Sequence, residues 1–148
     1  MRNSNAGFTL AELVVSISLV GILMSFAIPA YHSSVTGTQR QTNLTNMNTV
    51  KDTFLMYWQE GHMVGNPQFP PQPENNQMDL EFKVELLPDG RMINYLFSGE
   101  LPTNSNYNPF YYYTYSDTSE TGFVTQMIII SDEDEDSPSY EEEVIGEI

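Results

Sequence analysis

After a short leader, MRNSNAG, the chain turns apolar at Phe8 and stays so to Ala30. This 23-residue run, FTLAELVVSISLVGILMSFAIPA, holds one ionisable side chain, Glu12. About 20 apolar residues cross a bilayer as a helix, so residues 8–30 are expected to form a membrane-spanning helix. Beyond Ala30 the apolar positions thin out and become periodic. Leu44, Met47, Val50, Phe54 and Trp58 recur at intervals of three and four, with Leu55 alongside. That spacing predicts a helix continuing over residues 31–62 with one face turned to a core. Gly61, Gly65 and Pro67 end the pattern.

The remaining pattern reads as sheet. Residues 66–76, NPQFPPQPENN, form a proline-rich connector. Leu80, Phe82, Val84 and Leu86 then alternate with Asp79, Glu81, Lys83 and Glu85, which predicts a half-buried strand. Pro88, Asp89 and Gly90 supply a turn, and residues 92–97 read as the return strand. Two further strands are expected at residues 110–115 and 123–130. The predicted architecture is α+β, a long N-terminal helix packed on a four-stranded antiparallel sheet. Its divisions are a leader at 1–7, an apolar helix at 8–30, an amphipathic half at 31–62, a sheet headpiece at 63–131 and an acidic tail at 132–148. Phe110, Tyr111, Tyr112, Tyr113 and Tyr115 put rings on both faces of one strand. One face should cover the helix, and the other needs cover from a neighbouring subunit or from the tail.

Charge separates the two ends. The chain has 20 acids against five Lys and Arg, a formal charge of −15, which disfavours binding to nucleic acid through phosphate contacts. Nine of those acids lie after Ser131, whereas Glu12 is the only one between Phe8 and Lys51. No cysteine is present, which removes disulfides, thiolate catalysis and cysteine-held zinc. His32 and His62 form no ligand pair by spacing, and no nucleophile elbow or phosphate-cradling glycine loop appears. The sequence therefore reads as a protein that is not an enzyme, with no cofactor expected beyond the calcium considered below.

Glu12 carries the most information. An acid inside a membrane helix is costly and usually marks a partner or a function. The leader's Arg2 favours a cytoplasmic location for that end. If a cut follows Gly7, the apolar helix is retained and a new α-amine appears at Phe8, an opposite charge available to Glu12 of another copy. GFTLAELVVSISLVGILMSFAIPAY closely resembles the class III signal of type IV pilins and type II secretion pseudopilins. The resemblance implies cleavage between Gly7 and Phe8 by a prepilin peptidase, methylation of Phe8, and an assembly role for Glu12. It also places the family's helix-interior glycine and proline at Gly21 and Pro29, where the helix is easiest to kink or to melt as the subunit enters a filament. Ala11 departs from the family, in which a bulkier aliphatic is usual.

Residues 131–143, SDEDEDSPSYEEE, are open to two readings. A solvated, partly disordered anionic tail is the first. The second is a calcium site on Asp132, Asp134 and Asp136, since calcium takes six to eight hard oxygens and the major pseudopilin of type II secretion is known for such a site near its C-terminus. The expected function is a structural subunit of a type IV pilus, a polymer of identical copies fed by the prepilin peptidase and an inner-membrane assembly platform. It would be stored in the inner membrane and then displayed outside the cell. A periplasmic pseudopilin of type II secretion and a membrane-tethered binding module are the alternatives.

Overall fold

The computed structural model of the 148-residue chain describes residues 8–118 and 124–148. The leader and Gly7 therefore lie outside the described residues, as does Phe123, the first residue of the fourth predicted strand. The chain divides into two units, Met1–Gly37 and Thr38–Ile148. Helix α1, Leu10–Met63, contributes to both.

In the first unit α1 is helical through Gly21 and Pro29. Proline has no N–H, so the carbonyl of Ser25 goes without its usual helical donor. Every residue from Phe8 to Ala30 is exposed.

The second unit is built on the C-terminal half of α1. Asn43, Met47, Val50, Phe54 and Tyr57 are buried, at alternating intervals of four and three along one face. The expected stripe is found with a change at each end: Asn43 is buried where Leu44 was expected, and Tyr57 takes the buried position beside a half-buried Trp58, whose indole N–H donates to Gln126 Oε1 at 2.8 Å. Against this face lies a three-stranded antiparallel sheet of order β1-β2-β3, formed by Tyr111–Thr118, Val124–Ser131 and Glu143–Glu147. Tyr112 pairs with Ile130, and Ile130 pairs with Val144. Because side chains alternate across a strand, this register aims Tyr112, Ile128 and Ile130 at the same core as Phe54. The Tyr112 ring meets Phe54 edge-on with centroids 4.9 Å apart, and its hydroxyl donates to the Pro70 carbonyl at 2.9 Å.

Three expectations need correction. The sheet has three strands where four were expected. The alternating segment from Asp79 is a one-turn helix, α2, Leu80–Lys83, and residues 93–97 form a 3-10 helix. Asp79 caps α2: its Oδ1 accepts from the N–H groups of Glu81 at 2.9 Å and Phe82 at 3.1 Å, which turns the chain before a strand can start. All that remains of the predicted hairpin is a single bridge, Leu86 to Met92. Third, the acidic end is ordered. β3 lies within it, and residues 132–142 form the loop joining β2 to β3, closed by backbone bonds from Asp132 N–H to Glu142 O at 3.1 Å and from Glu141 N–H to Asp132 O at 2.8 Å.

The second face of the aromatic strand is covered from within the chain. Gln77 donates to the Tyr111 hydroxyl at 2.6 Å, and the Tyr113 hydroxyl donates to Glu133 at 2.5 Å. Tyr115 stays more than half exposed.

Candidate functional site

The start of α1 is organised by two side chains. Thr9 precedes the helix, and its carbonyl accepts the first helical bond, from Leu13 N–H at 3.2 Å. Its Oγ1 accepts from Glu12 N–H at 3.2 Å, while Glu12 Oε2 accepts from Thr9 N–H at 2.8 Å and from the Thr9 hydroxyl at 2.7 Å. This reciprocal pair is a capping box, which satisfies donors that a helix N-terminus leaves free. Glu12 is thus held at the helix start with its carboxylate exposed, and no cation lies within ion-pairing distance of it among the described residues.

From Leu13 to Ile28 the same helix presents apolar side chains on every side, Leu19 and Val20 each more than half exposed. It is long and apolar enough to cross a membrane, with none of its most apolar window buried inside the chain. Ser16 and Ser18 return their hydroxyls to the carbonyls of Glu12 and Val14, each at 2.8 Å, so their polarity is absorbed by the helix itself. A family model described as the prokaryotic N-terminal methylation motif matches residues 2–28. The chain carries this methylation motif.

The matched span includes Gly7, Phe8, Glu12 and Gly21 and stops just before Pro29. Relatives point the same way as the motif. The chain is 33% identical over 72 residues to a type IV major fimbrial protein FimA of Dichelobacter nodosus, covering 49% of this chain and 44% of that one. A FimA of D. nodosus strain VCS1703A is 46% identical over 39 residues, 26% of this chain and 24% of its own. A fimbrial protein of the same species is 32% identical over 65 residues, 44% and 41% of the two chains. The chain therefore spans less than half the length of the curated relatives it matches. Their names are those of fimbrial proteins, which fits a protein that is not an enzyme. No solved structure matches the chain.

Away from the motif, the acids singled out in the sequence take different positions. Asp132 is fully buried, Asp134 is half-buried and Asp136 is exposed. Asp132 Oδ2 accepts from the hydroxyls of Ser137 and Ser139, each at 2.5 Å, and Oδ1 from Asn104 Nδ2 at 3.2 Å. Asp134 Oδ2 accepts from the amides of Asn104 at 2.8 Å and of Asn106 and Asn108 at 2.9 Å. The amides of Asn108 and Asn106, ahead of a smaller opposing effect of burial, hold the Asp134 carboxyl down at about 2. Asp136 adds only its backbone N–H, to Asp134 Oδ1 at 3.1 Å.

This donor set does not fit calcium. The four carboxylate oxygens of Asp132 and Asp134 already face N–H and O–H groups, which leaves only the exposed carboxylate of Asp136 for a cation. Asn104 cannot turn its amide oxygen toward them, because that oxygen accepts from Asn106 N–H and Asn108 N–H, both at 2.9 Å. Among the described residues no group of three His, Cys, Asp or Glu is placed to hold a metal.

Sequence reasoning missed Thr9, although the T-x-x-E spacing ahead of an apolar run is itself a capping signal. It also missed Asn104, Asn106 and Asn108, whose alternation in NSNYN carries the same period as the aspartates they meet.

Proposed function

We propose that this chain is the structural subunit of a type IV pilus. It is stored in the inner membrane through residues 8–30, cut between Gly7 and Phe8 by a prepilin peptidase, methylated at Phe8, and polymerised by an inner-membrane platform into a filament of identical copies. The observation that carries this reading is a methylation motif lying on an apolar helix that buries nothing within its own chain. Such a helix needs apolar surroundings, and a bundle of its own copies supplies them as well as lipid does. Net transfer between the two is small, so the assembly machinery must supply the work. Glu12 then sets register by pairing with the α-amine of a neighbouring Phe8. Gly21 and Pro29 mark the stretch of helix that extends most easily during the transfer. The names of the relatives favour a surface pilus over a periplasmic pseudopilus, and the lack of fit to calcium takes away one of the features that lean toward the latter.

The test is expression of the full chain alongside a pilus peptidase and platform, with mass spectrometry of sheared surface fibres. Fibre subunits should begin at a methylated Phe8. Gly7→Val should leave uncut precursor in the membrane. Glu12→Ala should be cut yet largely absent from fibres, since removing one partner of a buried ion pair costs about 3–5 kcal/mol per subunit. Fibres built from subunits retaining Met1 would overturn the reading. Filaments confined to the periplasm would assign the chain to secretion instead.

A further inference from the structure

The loop between β2 and β3, residues 132–142, carries seven acids: Asp132, Glu133, Asp134, Glu135, Asp136, Glu141 and Glu142. Among the described residues a single cation pairs with it, Arg40 with Glu142. Like charges packed so densely repel one another and should splay the loop. The loop is nevertheless closed at its neck and carries the fully buried Asp132 at its root. Disulfides are not available to this chain, and calcium does not fit.

We infer that the loop is closed by a metal-independent clasp of neutral donors. Asn104, Asn106 and Asn108 grip Asp134, and the Ser137 and Ser139 hydroxyls grip Asp132. The buried Asn43 of α1 donates to those two serines at 3.0 and 2.8 Å, tying the loop to the helix. Hydrogen bonds to a charged acceptor are the stronger kind, and six from five side chains converge on two carboxylates here, Asn104 reaching both. The clasp is pre-set by its own turn: Asn104 N–H donates to Asn108 O at 3.0 Å while its amide oxygen holds the N–H groups of Asn106 and Asn108, so all three amides are aimed before the loop closes. Among the described residues two buried acceptors have no hydrogen-bond partner, Asn43 Oδ1 and Glu142 Oε2. They are single oxygens on different side chains, far short of the six to eight that calcium takes. The clasp fastens β3, the edge strand that covers the β2 ladder from Met127 to Ser131. It stands whether or not the chain polymerises, and it keeps the headpiece closed whatever the redox state or calcium level outside the cell.

Hydrogen exchange of the full chain in detergent micelles tests this. In the unaltered protein the amides of residues 144–147 should exchange at the same rate in EDTA, in calcium chloride, and in sodium chloride of matched ionic strength. Asp134→Ala should speed that exchange about tenfold to a hundredfold, and Asn108→Ala, which leaves two amides in place, by less. Calcium that slows exchange beyond the matched salt, with the effect lost in Asp134→Ala, would make the loop a cation site and overturn the clasp. So would unchanged exchange in both variants, which would show the network to be idle.

Discussion

Glu12 lies on an apolar helix and Asp132 in a buried polar network, and the two carboxylates are treated in opposite ways. Asp132 is fully buried, and every hydrogen bond it needs comes from its own chain. Glu12 sits on a helix with no buried residue in its apolar stretch, tied only to Thr9 three positions away. The difference separates a region that is finished on folding from one that is finished only by its surroundings. In the headpiece, Met47, Val50 and Phe54 find Tyr112, Ile128 and Ile130 within the same chain. In residues 8–30 the side chains find no such partners, and the missing half of the packing has to come from outside the chain.

The largest break between the regions should come from truncating one large apolar side chain in each. Phe54 is fully buried and contacts the rings of Phe82, Phe97 and Tyr112. Phe54→Ala should destabilise the headpiece by about 3–5 kcal/mol. Leu19→Ala truncates a large aliphatic side chain on the apolar helix and should leave headpiece stability within about 0.5 kcal/mol. Denaturant unfolding in micelles, followed by the fluorescence of the chain's one tryptophan, reads this directly, because Trp58 is held to β2 through Gln126. Comparable losses from both variants would mean that the two regions share a core.

The same division explains what could be read in the sequence. Both halves of α1 were legible because length and the 3.6-residue period leave a strong signal over many residues. β1 and β2 were legible from their runs of aromatic and β-branched residues. The segment from Asp79 to Leu86 was not, because alternation over eight residues also suits one helical turn followed by extended chain. What decided between them was a local bond, the Asp79 side chain capping Glu81 and Phe82. β3 was hidden for a different reason. Between Glu143 and Glu147 only Val144 and Ile145 look like strand residues, and the signal that mattered was Gly146, at which a Cβ would come within 3.2 Å of Lys51 Cγ and of Ile128 Cγ1. A glycine there lets an acidic edge strand approach α1 closely. Of the candidate site, Glu12 was plain from charge alone. The fate of the aspartates depended on asparagines some thirty residues away, a pairing that composition does not encode.

Acid should sharpen the contrast by a smaller amount. The Asp134 carboxyl is held at about 2, below its ordinary 3.8. A depressed folded-state value means that its stabilisation is full above pH 3.8 and is lost as pH falls through about 2. The shift caps this contribution at roughly 2 kcal/mol, and solvent screening of a half-buried group lowers it further. The unfolding midpoint followed from pH 5 to pH 2 should therefore drop less steeply in Asp134→Asn than in the unaltered chain. Parallel curves would show that the carboxylate's charge adds nothing beyond what a neutral amide supplies.

The smallest effect belongs to the two helix starts. Thr9 with Glu12 and Asp79 with Phe82 use the same chemistry, a side-chain oxygen accepting from an N–H of the first turn. Thr9→Val and Asp79→Ala should each cost about 0.5–2 kcal/mol locally. What should differ is where the loss appears. The first turn of α2 is anchored by the buried Phe82, so Asp79→Ala lowers headpiece stability as a whole with little local fraying. The first turn of α1 has no buried residue to anchor it, so Thr9→Val frays that turn alone. Site-resolved exchange in micelles should show faster loss of protection at Glu12 and Leu13 with the headpiece unchanged, and Thr9→Ser should restore it. If Thr9→Val instead weakened the headpiece, the apolar helix would not be the independent, unfinished element that its exposure makes it.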